Sequence, residues 1–172
     1  MPRSLGRSYK PITKLDLGRL RDLALEEVDR FFTRRNDLRR FRHKLIAITL
    51  CQGAAVHYVD SETGVNDFDI FFFFGEYDRH LVNRMPTKID SKLHKFGVHP
   101  EDAVRGFQAR HIDFLRRAID ANLVQAVSGD PAKAIVEYLK QARTKTAQEL
   151  AKRAVVGLWP DRLFGKVLWS NH

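Results

Sequence analysis

Two acidic residues separated by a single position are the side chains of this chain best suited to chemistry. Asp67 and Asp69 occur in the run Asp67-Phe68-Asp69-Ile70, whose apolar residues predict a β-strand. Successive strand residues point to opposite faces, so both carboxylates lie on one side of the strand. Two ionised carboxylates side by side repel each other unless a cation lies between them, and Mg²⁺ binds such oxygen ligands together with substrate phosphates.

The residues before this strand predict another strand, a glycine turn and a short helix. Leu45–Leu50 is rich in β-branched residues and predicts a buried strand, which Gly53 ends. Residues 54–59 suit a short helix, and the polar residues 60–66 suit a turn. The paired carboxylates therefore follow a glycine-opened helix, and this placement gives an otherwise common Asp-x-Asp pattern its significance.

A third carboxylate lies in a later apolar segment. Residues 107–115 predict a strand in which Ile112 and Phe114 face one way while His111 and Asp113 face the other. Taken alone, Asp113 is better explained by an ion pair with a neighbouring arginine, either Arg110, Arg116 or one on a helix.

The order of these segments resembles the nucleotidyltransferase fold superfamily, also described as polymerase-beta-like. The matching residues are Gly53-Ala54, then Asp67-Phe68-Asp69-Ile70, then Ile112-Asp113-Phe114. The resemblance covers roughly residues 45–115, and the chain also resembles a group of small bacterial nucleotidyltransferase-like proteins. It implies an α/β (α+β) fold: a small mixed β-sheet core flanked by N-terminal and C-terminal helices.

The resemblance also implies an activity, the transfer of a nucleoside monophosphate from a nucleoside triphosphate such as ATP to a hydroxyl, with Mg²⁺ or Mn²⁺. Asp67 and Asp69 would bind the metal that holds the triphosphate. Asp113 would join them on a second metal and orient or deprotonate the attacking hydroxyl. Gly53 and Ala54 would bind the phosphate tail at a helix N-terminus. The chain departs from the family at Ala54, because Gly or Ser is usual there and alanine has no hydroxyl to donate.

The resemblance leaves the acceptor open among nucleic acid, protein and small molecule. A second interpretation is a catalytically inactive module of the same fold that binds nucleic acid or a partner protein. A third is one half of a toxin–antitoxin pair, since small proteins of this fold occur there.

The charge of the chain is concentrated at its N-terminus. Residues 1–44 have a net charge of +7 out of +9 for all 172 residues. The excess is densest at Arg34, Arg35, Arg39, Arg40, Arg42 and Lys44. Such a cluster attracts polyanions, and it slightly favours a nucleic acid as acceptor, although a solvated helix face explains it equally well.

Composition places the chain among globular proteins. Hydrophobic residues make up 44% of the chain, which is enough for a core, and no apolar run is long enough to cross a membrane. A single cysteine, Cys51, excludes an intramolecular disulfide framework, so we expect a cytoplasmic protein. Cys51, His57 and His111 are expected to be structural residues, and Phe71–Phe74 to be core.

Three segments are expected to pack into one domain. Residues 1–44 form a basic N-terminal arm with helices, 45–120 the nucleotidyltransferase-like core, and 121–172 a C-terminal helical extension. Within them, residues 14–35 predict an amphipathic helix opened by a capping box at Thr13, and 89–95 a small helix. Asp130-Pro131 opens one C-terminal helix, and Thr146 with Glu149 opens another that ends near Gly157.

Overall fold

The computed structural model of the chain describes residues 8–75, 88–96 and 109–171. Part of the predicted N-terminal arm, residues 76–87 and residues 97–108, which include the start of the strand predicted over 107–115, lie outside these residues. The α/β prediction is confirmed, because helices pack on a mixed β-sheet.

The described helices and strands follow one another in a simple order. The helices are α1 (Lys14–Arg34), a 3₁₀ helix (Asn36–Lys44), α2 (Gln52–Asp60), α3 (Ala121–Ala126), α4 (Pro131–Gln141), α5 (Lys145–Ala151) and a 3₁₀ turn (Asp161–Leu163). The strands are β1 (Leu45–Cys51), β2 (Asp67–Phe74), β3 (Lys88–Phe96), β4 (Arg110–Ala118), β5 (Ala154–Trp159) and β6 (Val167–Ser170).

The six strands form one sheet in the order β3-β4-β2-β1-β5-β6. Strands β2 and β4 are parallel, and the other neighbours are antiparallel. The aromatic strand β2 is therefore central, which explains why Phe71, Phe72 and Phe74 are all buried although they alternate between faces. One hydrophobic cluster lies on each face of the sheet.

Helix α1 covers one face of the sheet. Its capping box is formed as predicted, since Asp16 N–H donates to the Thr13 hydroxyl at 3.2 Å while Thr13 N–H donates to the Asp16 carboxylate at 2.9 Å. The apolar stripe of α1, which includes Leu20 and Val28, packs with Phe72 in one cluster. We call this side of the sheet the α1 face.

Helices α4 and α5 cover the other face. Ile135 and Leu139 of α4 pack in one cluster with Phe71 and Phe73 of β2. We call this side the α4 face. By strand alternation, Asp67 and Asp69 lie on this face with Phe71 and Phe73, at the end where β2 begins.

Three secondary-structure predictions are wrong, and one of them is the start of the last helix, which Thr144 caps instead of Thr146. Residues 88–96 form β3 rather than containing a small helix, because pairing with β4 supplies their backbone hydrogen bonds. The helix expected to end near Gly157 stops at Ala151, and the β-branched residues after it form β5. The C-terminal segment therefore adds two strands to the sheet as well as helices.

Candidate metal and nucleotide site

The register of the sheet brings together the three carboxylates singled out in the sequence. Asp69 of β2 is the Cα partner of Asp113 of β4 in the parallel pair, and Asp67 lies two residues before Asp69. One carboxylate oxygen from each of the three lies within 4.8 Å of the others. Two strands thus supply one acidic cluster, although Asp69 and Asp113 are 44 positions apart in sequence.

The cluster lies at an accessible edge of the α4 face. Asp67 and Asp69 are partly exposed, whereas Asp113 is buried, with 9% of its surface accessible. The residues alternating with them, Phe68 and Ile112, are buried on the α1 face. The core therefore fixes the direction in which all three carboxylates point.

Strand geometry disfavours an ion pair between Asp113 and either Arg110 or Arg116. Arg110 and Arg116 are each three residues from Asp113 along β4, so by strand alternation both lie on the opposite face. The Arg110 guanidinium donates to the carbonyl of Val65 at 2.7 Å and to that of Ser8 at 3.1 Å. It thereby anchors the loop that leads into β2.

The electrostatics of the cluster favour a cation. Two unit charges 4.8 Å apart repel by about 3.5 kcal/mol at an effective dielectric constant of about 20. A divalent ion removes this repulsion, and carboxylate oxygens are the donors that Mg²⁺ and Mn²⁺ prefer. The donor set of Asp67, Asp69 and Asp113 therefore fits a hard divalent cation.

The turn between β1 and α2 lies beside the acidic cluster. Cys51, the last residue of β1, is the Cα partner of Asp69, and α2 begins at the next residue. Gln52 has a φ of 62°, in the left-handed region that favours glycine. Such backbone strain is concentrated at functional sites.

The N-terminus of α2 has features that suit an anion. Among the described residues, no side chain caps this terminus, and its first turn contains no acidic residue. Gly53 and Ala54 occupy the first turn, as predicted, so their N–H groups have no acceptor within the helix. The Ala54 side chain is 1% exposed and packs into the core of the α1 face, so only its backbone is available to a ligand.

Arg153 is a candidate that the sequence reasoning missed. A Cβ built on Gly53 would lie 3.9 Å from Nη1 of Arg153, which places this guanidinium beside the start of α2. Arg153 is exposed and directly precedes β5, whose Val155 is paired with Cys51. Only the pairing of β1 with β5, about a hundred residues apart in sequence, brings the arginine here, so no local motif could have found it.

Of three other polar residues expected to be structural, two are buried. Cys51 is fully buried, and its burial raises the pKa of the thiol far above its ordinary value, so the group remains protonated. His57 is buried between two carbonyl oxygens, those of Thr63 and Lys10, and ties the N-terminal segment to the loop after α2. His111 is exposed and lies opposite Asp67 in the register.

The basic segment lies away from the acidic cluster. The 3₁₀ helix that carries most of its arginines precedes Leu45, whereas the acidic cluster lies beside Cys51 at the other end of β1. At about 3.3 Å per residue, the two ends of β1 are about 20 Å apart.

Comparisons with known proteins assign no relationship. No protein-family model, curated protein or solved structure matches this chain. Among the described residues, no helix combines the length and apolar character needed to cross a bilayer.

Proposed function

We propose that this chain is a metal-dependent nucleotidyltransferase that transfers a nucleoside monophosphate from a nucleoside triphosphate to a hydroxyl. The observation that carries the proposal is the convergence of Asp67, Asp69 and Asp113 within 4.8 Å, beside the start of α2. A cation-binding group next to an anion-binding group is what a metal–triphosphate complex requires.

Different residues bind the metal and the triphosphate. Asp67 and Asp69 hold Mg²⁺ or Mn²⁺, which neutralises charge on the phosphates and lowers the pKa of a bound hydroxyl. The N–H groups of Gly53 and Ala54 donate to the phosphate tail, and the helix dipole of α2 favours its negative charge. Arg153 neutralises the charge that remains on the tail, since its guanidinium lies beside Gly53.

Asp113 is suited to act on the acceptor. The acceptor oxygen attacks the α-phosphorus and forms a new O–P bond, while the bond from that phosphorus to the bridging oxygen breaks and pyrophosphate leaves. Asp113 orients the acceptor hydroxyl and accepts its proton. Because Phe114 and Ile112 fix β4 in the core, the Asp113 carboxylate needs little reorganisation to act.

A transfer assay tests the proposal. The protein is incubated with Mg²⁺ or Mn²⁺ and a nucleoside triphosphate labelled at its α-phosphate, with RNA, protein or small hydroxyl compounds offered separately as acceptors. We expect labelled product and pyrophosphate with the wild type and neither with Asp67→Asn or Asp113→Asn. Glu26→Gln is the matched control, because Glu26 is an exposed carboxylate on α1, far from the cluster in the fold.

Binding is measured separately from transfer. At a ligand concentration of 100 times Kd, linkage stabilises the folded state by about 2.7 kcal/mol, or roughly 5–10 °C in Tm for a chain of this size. We expect metal with ATP, GTP, CTP or UTP to stabilise more than either component alone. Arg153→Gln should weaken the response to nucleotide while leaving that to metal unchanged.

The second candidate function is a catalytically inactive module of the same fold that binds nucleic acid or a partner protein. It is favoured by Ala54, whose buried methyl group supplies no hydroxyl at the phosphate turn. The module predicts salt-sensitive binding of RNA without any synergy between metal and nucleotide. In either case we place the protein in the cytoplasm, since its one cysteine is buried and reduced.

A further inference from the structure

Three exposed arginines near the end of α1 form no ion pair with a carboxylate in the part of the chain that the structure describes. Two other guanidinium groups of this segment are neutralised, since Arg35 pairs with Asp37 and Arg42 with Asp29, each at 2.9 Å. Arg34, Arg39 and Arg40 are exposed, and none forms an ion pair with any residue that the structure describes. We call these three residues the free arginines.

The side chains of the 3₁₀ helix lie in rows along its axis. A 3₁₀ helix has three residues per turn, so residues at i and i+3 are aligned. One row, Leu38 and Phe41, is buried in the core of the α1 face. The row of Asn36, Arg39 and Arg42 is therefore held on a separate side of the helix, in a line parallel to its axis.

This polar row lines a cavity of about 370 Å³ between the 3₁₀ helix and the end of α1. Asn36, Arg39 and Arg42 form one wall, and Asp29, Phe32 and Thr33 of α1 form the other. Because Asp29 accepts from Nε of Arg42, it fixes that guanidinium without neutralising Arg39. The cavity thus offers hydrogen-bond donors and net positive charge.

The spacing of the row suits a repeating anion. At a rise of about 2 Å per residue, Arg39 and Arg42 are about 6 Å apart along the axis. That distance is comparable to the separation of consecutive phosphates along a nucleic-acid strand. Arginine is the side chain best matched to phosphate, because its planar guanidinium donates two parallel hydrogen bonds.

We propose that the row of Asn36, Arg39 and Arg42, together with its exposed sequence neighbours Arg34 and Arg40, forms a binding surface for the phosphate backbone of a single nucleic-acid strand, separate from the acidic cluster. The surface lies beside α1 at the Leu45 end of β1, whereas the acidic cluster lies on the α4 face near Cys51. Binding of the strand therefore requires neither the carboxylates nor a metal, and the inference is independent of the proposed transferase activity.

The test is a salt titration of RNA binding. Fluorescence anisotropy is measured with a labelled oligouridine of roughly 12 nucleotides, within the range that single-strand sites cover. In single strands each phosphate contact contributes about 0.7 to the slope of log K against log salt, so removing three contacts lowers the slope by about 2. We expect this loss for Arg34→Gln/Arg39→Gln/Arg40→Gln, and about a third of it for Arg39→Gln alone.

The matched control removes the same charge from the other side of the sheet. Lys133, Arg143 and Lys145 are exposed on or between α4 and α5, so Lys133→Gln/Arg143→Gln/Lys145→Gln should retain the wild-type slope. The variant Asp67→Asn/Asp69→Asn should also bind RNA like the wild type.

Several results would overturn the inference. The first is the absence of RNA binding by the wild type at low salt. The second is an equal loss of salt slope in Arg34→Gln/Arg39→Gln/Arg40→Gln and in the control Lys133→Gln/Arg143→Gln/Lys145→Gln. The third is a loss of RNA binding in Asp67→Asn/Asp69→Asn. Equal affinity for vesicles of anionic lipid would also contradict it, because binding would then follow net charge rather than the strand. Loss of transferase activity in the Asp67→Asn/Asp69→Asn variant with RNA binding retained would leave the inference standing.

Discussion

Removing one carboxylate from the acidic cluster should abolish stabilisation by metal. Asp69 is the informative position, because it is the register partner of Asp113 and lies two residues from Asp67 on the same face. The three carboxylate oxygens lie within 4.8 Å of one another, and at that limit each pair of charges repels by about 3.5 kcal/mol at an effective dielectric constant of about 20. Asp69→Asn removes one of the three charges, so less repulsion remains for a divalent ion to relieve. The substitution also removes one anionic ligand, so the ion binds more weakly.

The expected size of the effect follows from linkage. If the metal concentration is ten times Kd, binding stabilises the folded protein by about 1.4 kcal/mol, which corresponds to roughly 3–6 °C in Tm for a chain of this length. Thermal unfolding is followed in the wild type during titration with MgCl₂ or MnCl₂, with NaCl of equal ionic strength as the reference. We expect the rise in Tm in the wild type and none in Asp69→Asn.

Glu26→Gln again serves as the control, since it removes one exposed carboxylate from α1. It should respond to metal like the wild type. A metal site at the three carboxylates is refuted if wild type and Asp69→Asn respond equally, because the three would then not bind the ion together. It is also refuted if Glu26→Gln loses the response, because the effect would then reflect net charge.

Three further predictions concern the framework of the site. The pKa of Cys51 is raised by burial, so the unfolded chain loses this proton first. Above an unfolded pKa of about 8.5, wild-type stability should fall by about 1.4 kcal/mol per pH unit more than that of Cys51→Ala, as measured by urea unfolding between pH 8 and 10. His57→Leu should destabilise the fold by about 2 kcal/mol in the same assay, because the carbonyls of Thr63 and Lys10 lose their contacts with the ring nitrogens. Gly157→Ala should destabilise by about 3 kcal/mol, since the new Cβ would overlap the backbone of Leu163.

Each of these predictions has a result that contradicts it. Parallel pH profiles for wild type and Cys51→Ala would mean that the thiol titrates in the folded protein. Equal effects of His57→Leu and His111→Leu would remove the distinction between a buried and an exposed histidine. A neutral Gly157→Ala would show that the hairpin between β5 and β6 adjusts at little cost.

Local patterns were sufficient for the elements that carry the acidic cluster. The β-branched run of β1 and the aromatic run of β2 end where glycine and polar residues interrupt them, so their bounds were predicted to within a residue or two. The strand holding Asp113 was predicted from alternation alone. The side on which each carboxylate lies followed from the same rule, because apolar neighbours fix the opposite side in the core.

The elements that depend on distant pairing were predicted poorly. Residues 88–96 and 154–159 contain charged residues or alanine and glycine at positions that local propensity assigns to helix or loop. Their strands form because β4 and β1 supply hydrogen-bonding partners. Gly157 illustrates the difficulty, since it looks like a helix end in sequence but permits close approach of the Leu163 backbone.

Arg153 was missed in the sequence for the same reason. Its distance from Gly53 is set by the pairing of Cys51 with Val155, which no spacing rule within either segment encodes. A short helix was expected near Leu38–His43, but its three-residue rows were hidden, because so short a basic run does not distinguish a 3₁₀ helix from an α-helix.

The position of β1 between β2 and β5 has a consequence for the order in which the protein acquires its structure. During synthesis the ribosome makes β1 and β2 early, whereas β5 emerges about a hundred residues after β1. Until then one side of β1 is an open strand edge, and such edges pair with other chains. The nascent chain should therefore be most vulnerable to aggregation, and most dependent on chaperones, just before its last two strands leave the exit tunnel.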